Sequence, residues 1–97
     1  MKLSDKPVAN SVVVLREEFD DWAVLFNPDT AGAVGINPVG VAVWKLMNGE
    51  RNIKEITAHI KDEFYDVPET VDKEVVDFVG NLAESGFVGY ALKEFDK

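Results

Sequence analysis

Asn27-Pro28-Asp29-Thr30-Ala31-Gly32 is followed at once by Ala33-Val34-Gly35-Ile36 and then by Asn37-Pro38. The first block has the residue types of a hairpin turn and the second those of a short strand. Asn before Pro is a helix cap with proline at the first helical position. A strand with a turn behind it and a helix ahead falls naturally at the border of a small sheet. Such a border leaves a row of amide N–H and C=O groups unpaired, a template for another extended chain.

The rest of the chain fits around that border. Residues 11–18, Ser-Val-Val-Val-Leu-Arg-Glu-Glu, predict a first strand, Asp20-Asp21 a turn, and Trp22 to Phe26 a second strand, so that 33–36 completes a three-stranded meander. The Asn37 cap predicts a helix of about ten residues ending at Asn48-Gly49. Val39, Val43, Leu46 and Met47 share one face, while Val41, Ala42 and Trp44 cover most of the remainder, so this helix is central and only Lys45 is left for solvent. Asn52 and Glu55 stand at capping-box spacing ahead of an Ile53, Ile56, Ile60, Phe64 stripe. After a tight Tyr65-Asp66-Val67 connection, Pro68 and Thr70 open a third helix that runs to Glu84 and stops at Ser85-Gly86. A last strand over 87–92 and a frayed tail over 93–97 follow. The second and third helices make a helix-turn-helix with a wing behind it. The expected fold is α+β and winged-helix-like: a three-stranded antiparallel N-terminal sheet, three helices and a short C-terminal strand, in one domain over 1–97 with its ordered core at about 11–92.

Composition narrows the function classes. With 97 residues the chain suits one core without staples, and the absence of cysteine excludes disulfides, thiolate catalysis and cysteine metal sites. The polar stretch Met1 to Ser11 and the short Val12–Leu15 run resemble neither a signal-peptide core nor a membrane span, so a cytoplasmic protein without a membrane partner is expected. The net charge of −8, from 18 acids and 10 bases, repels phosphate backbones. Between Pro68 and Gly86 the acids are Glu69, Asp72, Glu74, Asp77 and Glu84 against the lone base Lys73. A helix with that balance does not suit the major groove of DNA, and no nucleic-acid partner is expected.

The same helix has an uneven apolar pattern. Val71, Val75, Phe78 and Leu82 form an inward stripe, and Val76, Val79 and Ala83, with Asp72 beside them, extend it around one flank, while Asn81 and Asp77 make the other flank polar. The apolar flank either packs against the sheet or first helix, or forms one wall of a groove whose other wall is Ala33 to Ile36. His59 falls on the exposed side of its helix, with no second His or Cys for a metal site, no nucleophile is set beside a base, and no glycine-rich phosphate loop is present. No catalysis and no cofactor are expected.

From Val12 to Val88 the chain resembles the PqqD-like proteins, the peptide-binding modules also called RiPP recognition elements. The resemblance rests on the strand ending in Arg16 and on Leu25-Phe26-Asn27-Pro28-Asp29-Thr30-Ala31-Gly32. It continues through Ile36-Asn37-Pro38-Val39-Gly40 leading to Trp44, Leu46 and Gly49, through Ile56 to Tyr65, and through Val79 to Val88 with Leu82 and Gly86. It implies a non-catalytic chaperone that binds the leader of a ribosomally made precursor peptide as an added strand and presents it to a modifying enzyme, often a radical SAM enzyme. Carried over, the peptide-binding residues are Ala33, Val34, Gly35 and Ile36 on the strand and Asp72, Val76 and Val79 on the helix. Gly35 departs from the pattern, where a larger residue would be common: it either weakens the strand or lets a ligand backbone approach. A winged-helix transcriptional regulator or a generic protein-interaction domain is the alternative reading, and the exposed border allows a monomer or a strand-exchanged dimer.

Overall fold

The computed structural model describes residues 2–64 and 66–90. Among them the elements run β1 (Pro7–Ala9), β2 (Val14–Glu17), β3 (Ala23–Asn27), β4 (Gly32–Ile36), α1 (Pro38–Leu46), α2 (Ile53–Glu63), α3 (Val71–Glu84) and β5 (Val88–Tyr90). β2, β3 and β4 form an antiparallel sheet in that order, and β1 pairs antiparallel with β5. The architecture is the expected α+β arrangement of a three-stranded sheet, three helices and a short last strand. Residues 91–97, which carry the end of the expected last strand and the tail, and Tyr65 of the α2–α3 connection lie outside the described residues.

β1 is an addition to the expected fold. Pro7 is buried, the Ala9 N–H donates to the Met47 carbonyl at 3.0 Å and the Gly49 N–H to the Pro7 carbonyl at 3.0 Å, so the N-terminal segment is held between β5 and the α1–α2 turn. A three-residue strand among polar neighbours carries no periodicity, and its hydrogen bonds are all long-range. The first meander strand starts later than expected because Asn10 turns the chain: its Oδ1 accepts from the Val12 N–H at 3.2 Å and its carbonyl from the Val13 N–H at 3.0 Å.

Caps place the helices as the sequence predicts. The Asn37 side chain accepts from the Gly40 N–H at 2.8 Å with Pro38 at the first position, and Asn52 and Glu55 complete a reciprocal capping box. Thr70 instead donates its hydroxyl to Glu74 at 2.8 Å and caps no backbone N–H. α3 ends with Gly86 at φ 84°, the Phe87 N–H reaching the Leu82 carbonyl at 2.9 Å and the Gly86 N–H the Ala83 carbonyl at 3.2 Å, the paired bonds of a Schellman motif.

One core joins the sheet to all three helices, with Leu25, Val43, Ile53, Ile56, Ile60 and Val79 essentially without exposure. α1 is central, and Lys45 is its one exposed residue. Asn27 is buried and polar: its Nδ2 donates to the Gly86 carbonyl at 3.1 Å and its Oδ1 accepts from the Asp29 N–H at 2.9 Å. The β3–β4 turn is thereby fastened to the end of α3.

Candidate functional site

Among the described residues, β4 pairs only with β3. Which of its backbone groups are spent follows from the ladder. The Glu18 N–H donates to the Trp22 carbonyl at 2.7 Å, one step beyond the Glu17–Ala23 pair of β2 and β3. Successive residues of an antiparallel strand point their N–H and C=O groups to opposite sides, so Trp22, Val24 and Phe26 bond to β2, and Ala23, Leu25 and Asn27 bond to β4. Their partners there are Ile36, Val34 and Gly32. Ala33 and Gly35 are left with their N–H and C=O groups directed away from the sheet: two donors and two acceptors.

Side chains alternate in the same way. Ile36 is buried and Gly32 and Val34 half-buried on the helix side, while Ala33 and Gly35 are exposed on the outer face. At the far end of β4 a Cβ placed on Gly40 would stand 3.1 Å from Ile36 Cβ and 3.2 Å from Phe78 Cζ, so α3 approaches there through Phe78. At the near end a Cβ on Gly32 would stand 3.8 Å from Phe87 Cζ. The stretch from Phe78 to Phe87 therefore runs beside β4 in the opposite direction. Past Ile36, a cavity of about 220 Å³ opens between Asn37 and Gly40 of α1, Val67 and Pro68, and Val71, Val75 and Phe78 of α3, with Glu74 on its lining.

The helix residues expected to face β4 differ in exposure, and Val76 among them is half-buried against the core. Val79 is fully buried in the core. Asp72 lies 3.2 Å from Lys61 Nζ of α2, an ionic contact in which its Oδ1 lacks hydrogen-bond alignment. At about 100° per residue, Asp72 and Val76 lie roughly 120° and 160° around the helix from Phe78. The expected assignment of Phe78 to the inward stripe and Val79 to the flank is thus exchanged: the buried arc runs Val71, Val75, Val79, Leu82, and Phe78 is its half-buried rim. A helical wheel orders residues around the axis but leaves the centre of the buried arc to tertiary packing. The signal for Phe78 was Gly40, a glycine early in α1 where a large ring stands close.

The outer face of the sheet is unusually apolar. Val14 and Trp22 are about half exposed and Phe26 is 41% exposed, beside Val24 and the small residues Ala33 and Gly35. Arg16 and Glu18 pair with each other there at 3.2 Å. His59 is exposed on α2. Among the described residues no group of three or more His, Asp or Glu side chains could hold a metal ion, and no helix is long and apolar enough to cross a membrane.

Solved structures share this fold. TbiB1, determined in complex with the TbiA(beta) leader peptide, superposes with a TM-score of 0.69 at 24% identity, covering 93% of this chain and 99% of that one. The heterocyclase TruD superposes with a TM-score of 0.63 at 13% identity, and the match takes in 95% of this chain but only 12% of TruD. No curated protein matches the chain in sequence. The family model of coenzyme PQQ synthesis protein D matches residues 23–88, from β3 to the start of β5, and the chain belongs to that PqqD family.

Proposed function

We propose that this protein is a non-catalytic recognition module that takes the leader of a ribosomally made precursor peptide as an additional antiparallel strand on β4 and presents it to a modifying enzyme. The observation that carries the reading is the edge of β4, where Ala33 and Gly35 turn two N–H and two C=O groups away from β3, without a partner among the described residues. The leader-peptide complex of the TbiB1 relative supports it. The modifying enzyme in this reading is a radical SAM enzyme, and the site is cytoplasmic.

Four backbone hydrogen bonds at about 0.5–1.5 kcal/mol each supply roughly 2–6 kcal/mol before ordering of the peptide is subtracted. Micromolar affinity needs about 8 kcal/mol. The difference falls to peptide side chains on the helix side of the added strand, which meet Val34, Ile36 and Phe78 at about 1.5–3 kcal/mol for each fully buried aliphatic group. Glu74 and Asp77 are exposed on that side of α3 and favour basic residues nearby in the peptide.

Fluorescence polarisation with labelled N-terminal segments of short peptides encoded beside this gene, and with duplex DNA, tests the reading. Saturable peptide binding without DNA binding is expected. Tight DNA binding in low salt without peptide binding would replace the proposal with the winged-helix regulator.

A further inference from the structure

Gly35 has no structural reason to be glycine. A glycine inside a strand commonly marks a bulge, a positive φ, or a place where something comes close to the backbone. The β3–β4 register passes through Val24–Gly35 without a skipped residue, and Gly35 is absent from the positive-φ glycines. A Cβ built on Gly35 meets nothing within 4 Å, so among the described residues no part of the chain needs the room. What remains is approach from outside, on the outer face.

That face has a second property pointing the same way. Beyond Gly35 lies half-buried Val24, flanked by exposed Val14, Trp22 and Phe26. An apolar sheet face of this kind is ordinarily covered when its protein is at work. A strand added to β4 sets one of its own residues directly opposite Gly35, hydrogen-bonded to it and with its side chain on this outer face. A flat ring at that position can lie across the bare glycine and reach Val24, the cross-strand packing by which aromatic residues compensate a glycine in a sheet.

We infer that Gly35 is a specificity-determining residue that selects peptides carrying an aromatic residue opposite it, on the solvent face of the added strand rather than in the cleft toward α3. This inference rests on the proposed peptide site on β4.

Random 12-residue peptides displayed as a library and selected on the wild-type protein and on Gly35→Thr supply the test. Binders are sorted by whether they shift the amide resonances of Ala33 and Gly35 or of Thr at the substituted position. The open space and the strand preference of threonine predict a melting temperature of Gly35→Thr no lower than wild type, and Gly35→Ala serves as a second, smaller variant. Expected are β4-docking binders from the wild type with an aromatic residue at one fixed position. Replacing it by alanine weakens binding to wild type about tenfold and to Gly35→Thr less than about twofold, with Gly35→Ala in between. β4-docking binders without an aromatic preference, or an equal loss on all three proteins, overturn the inference and leave the peptide site standing. Failure to obtain any binder that shifts β4 removes the peptide site and this inference with it.

Discussion

Proline can be placed on β4 in two adjacent positions with opposite consequences. The Ala33 N–H points away from the sheet, so Ala33→Pro removes no ladder bond, and edge strands tolerate proline at such a position. The preceding Gly32 is already extended, as a residue before proline prefers. The loss of stability is expected to stay within about 1 kcal/mol. The Val34 N–H bonds to Leu25, whose side chain is fully buried. Val34→Pro deletes that donor, leaves a carbonyl of β3 unpaired at a cost of about 1–3 kcal/mol and disturbs a half-buried side chain, for a total of about 2–4 kcal/mol. In a domain of this size that lowers the melting temperature by on the order of 10–25 °C. Binding should separate the two in the other sense. Ala33→Pro withdraws one donor from the added strand and leaves the peptide carbonyl unpaired, a loss of about 1–3 kcal/mol or roughly 5–150-fold in Kd. Thermal melts by far-UV circular dichroism and fluorescence polarisation with a β4-binding peptide read both quantities. Equal destabilisation by the two prolines would show that the alternation of hydrogen bonds along β4 is misassigned; unchanged affinity for Ala33→Pro would show that peptides do not extend this strand.

Gly80 sits inside α3 with nothing within 4 Å of a built Cβ, so Gly80→Ala should raise stability by about 0.5–1 kcal/mol in a urea melt. Asn27→Ala removes the tie between the β3–β4 turn and the Gly86 carbonyl and should cost about 1–3 kcal/mol by the same measurement. Phe78→Ala should weaken peptide binding about tenfold, whereas Val76→Asp, on the α2 side of α3, should change it less than about twofold; the reverse order in a polarisation titration would return the groove wall to Asp72 and Val76. Affinity for a basic peptide should fall as salt rises from low to physiological strength, since exposed charges are screened over about 8–10 Å.

Much of the fold was legible because its signals are local. Asn37-Pro38, the Asn52–Glu55 pair and Ser85-Gly86 mark helix ends through short-range hydrogen bonds and backbone preference, and the structure realises each of them. The border position of β4 followed from the turn behind it and the cap ahead. What stayed hidden depends on distant partners. β1 exists because Met47, Gly49 and β5 hold it, and nothing within Pro7–Ala9 announces that. The face that α3 turns to β4 depends on how Phe78 meets Gly40 and how Lys61 meets Asp72, contacts between helices that spacing along a single helix leaves open.

Amide hydrogen exchange resolved by NMR along the two borders of the sheet bears most directly on the claim that β4 is an acceptor for a peptide strand. In the free protein, Ala33 and Gly35 should exchange faster than Val34 and Ile36, whose amides are bonded to β3. A bound peptide should slow Ala33 and Gly35 and leave Leu15 and Glu17, the outward residues of β2, unchanged. Slowing at Leu15 and Glu17 instead, or a bound peptide that leaves Ala33 and Gly35 as fast as before, would contradict the account.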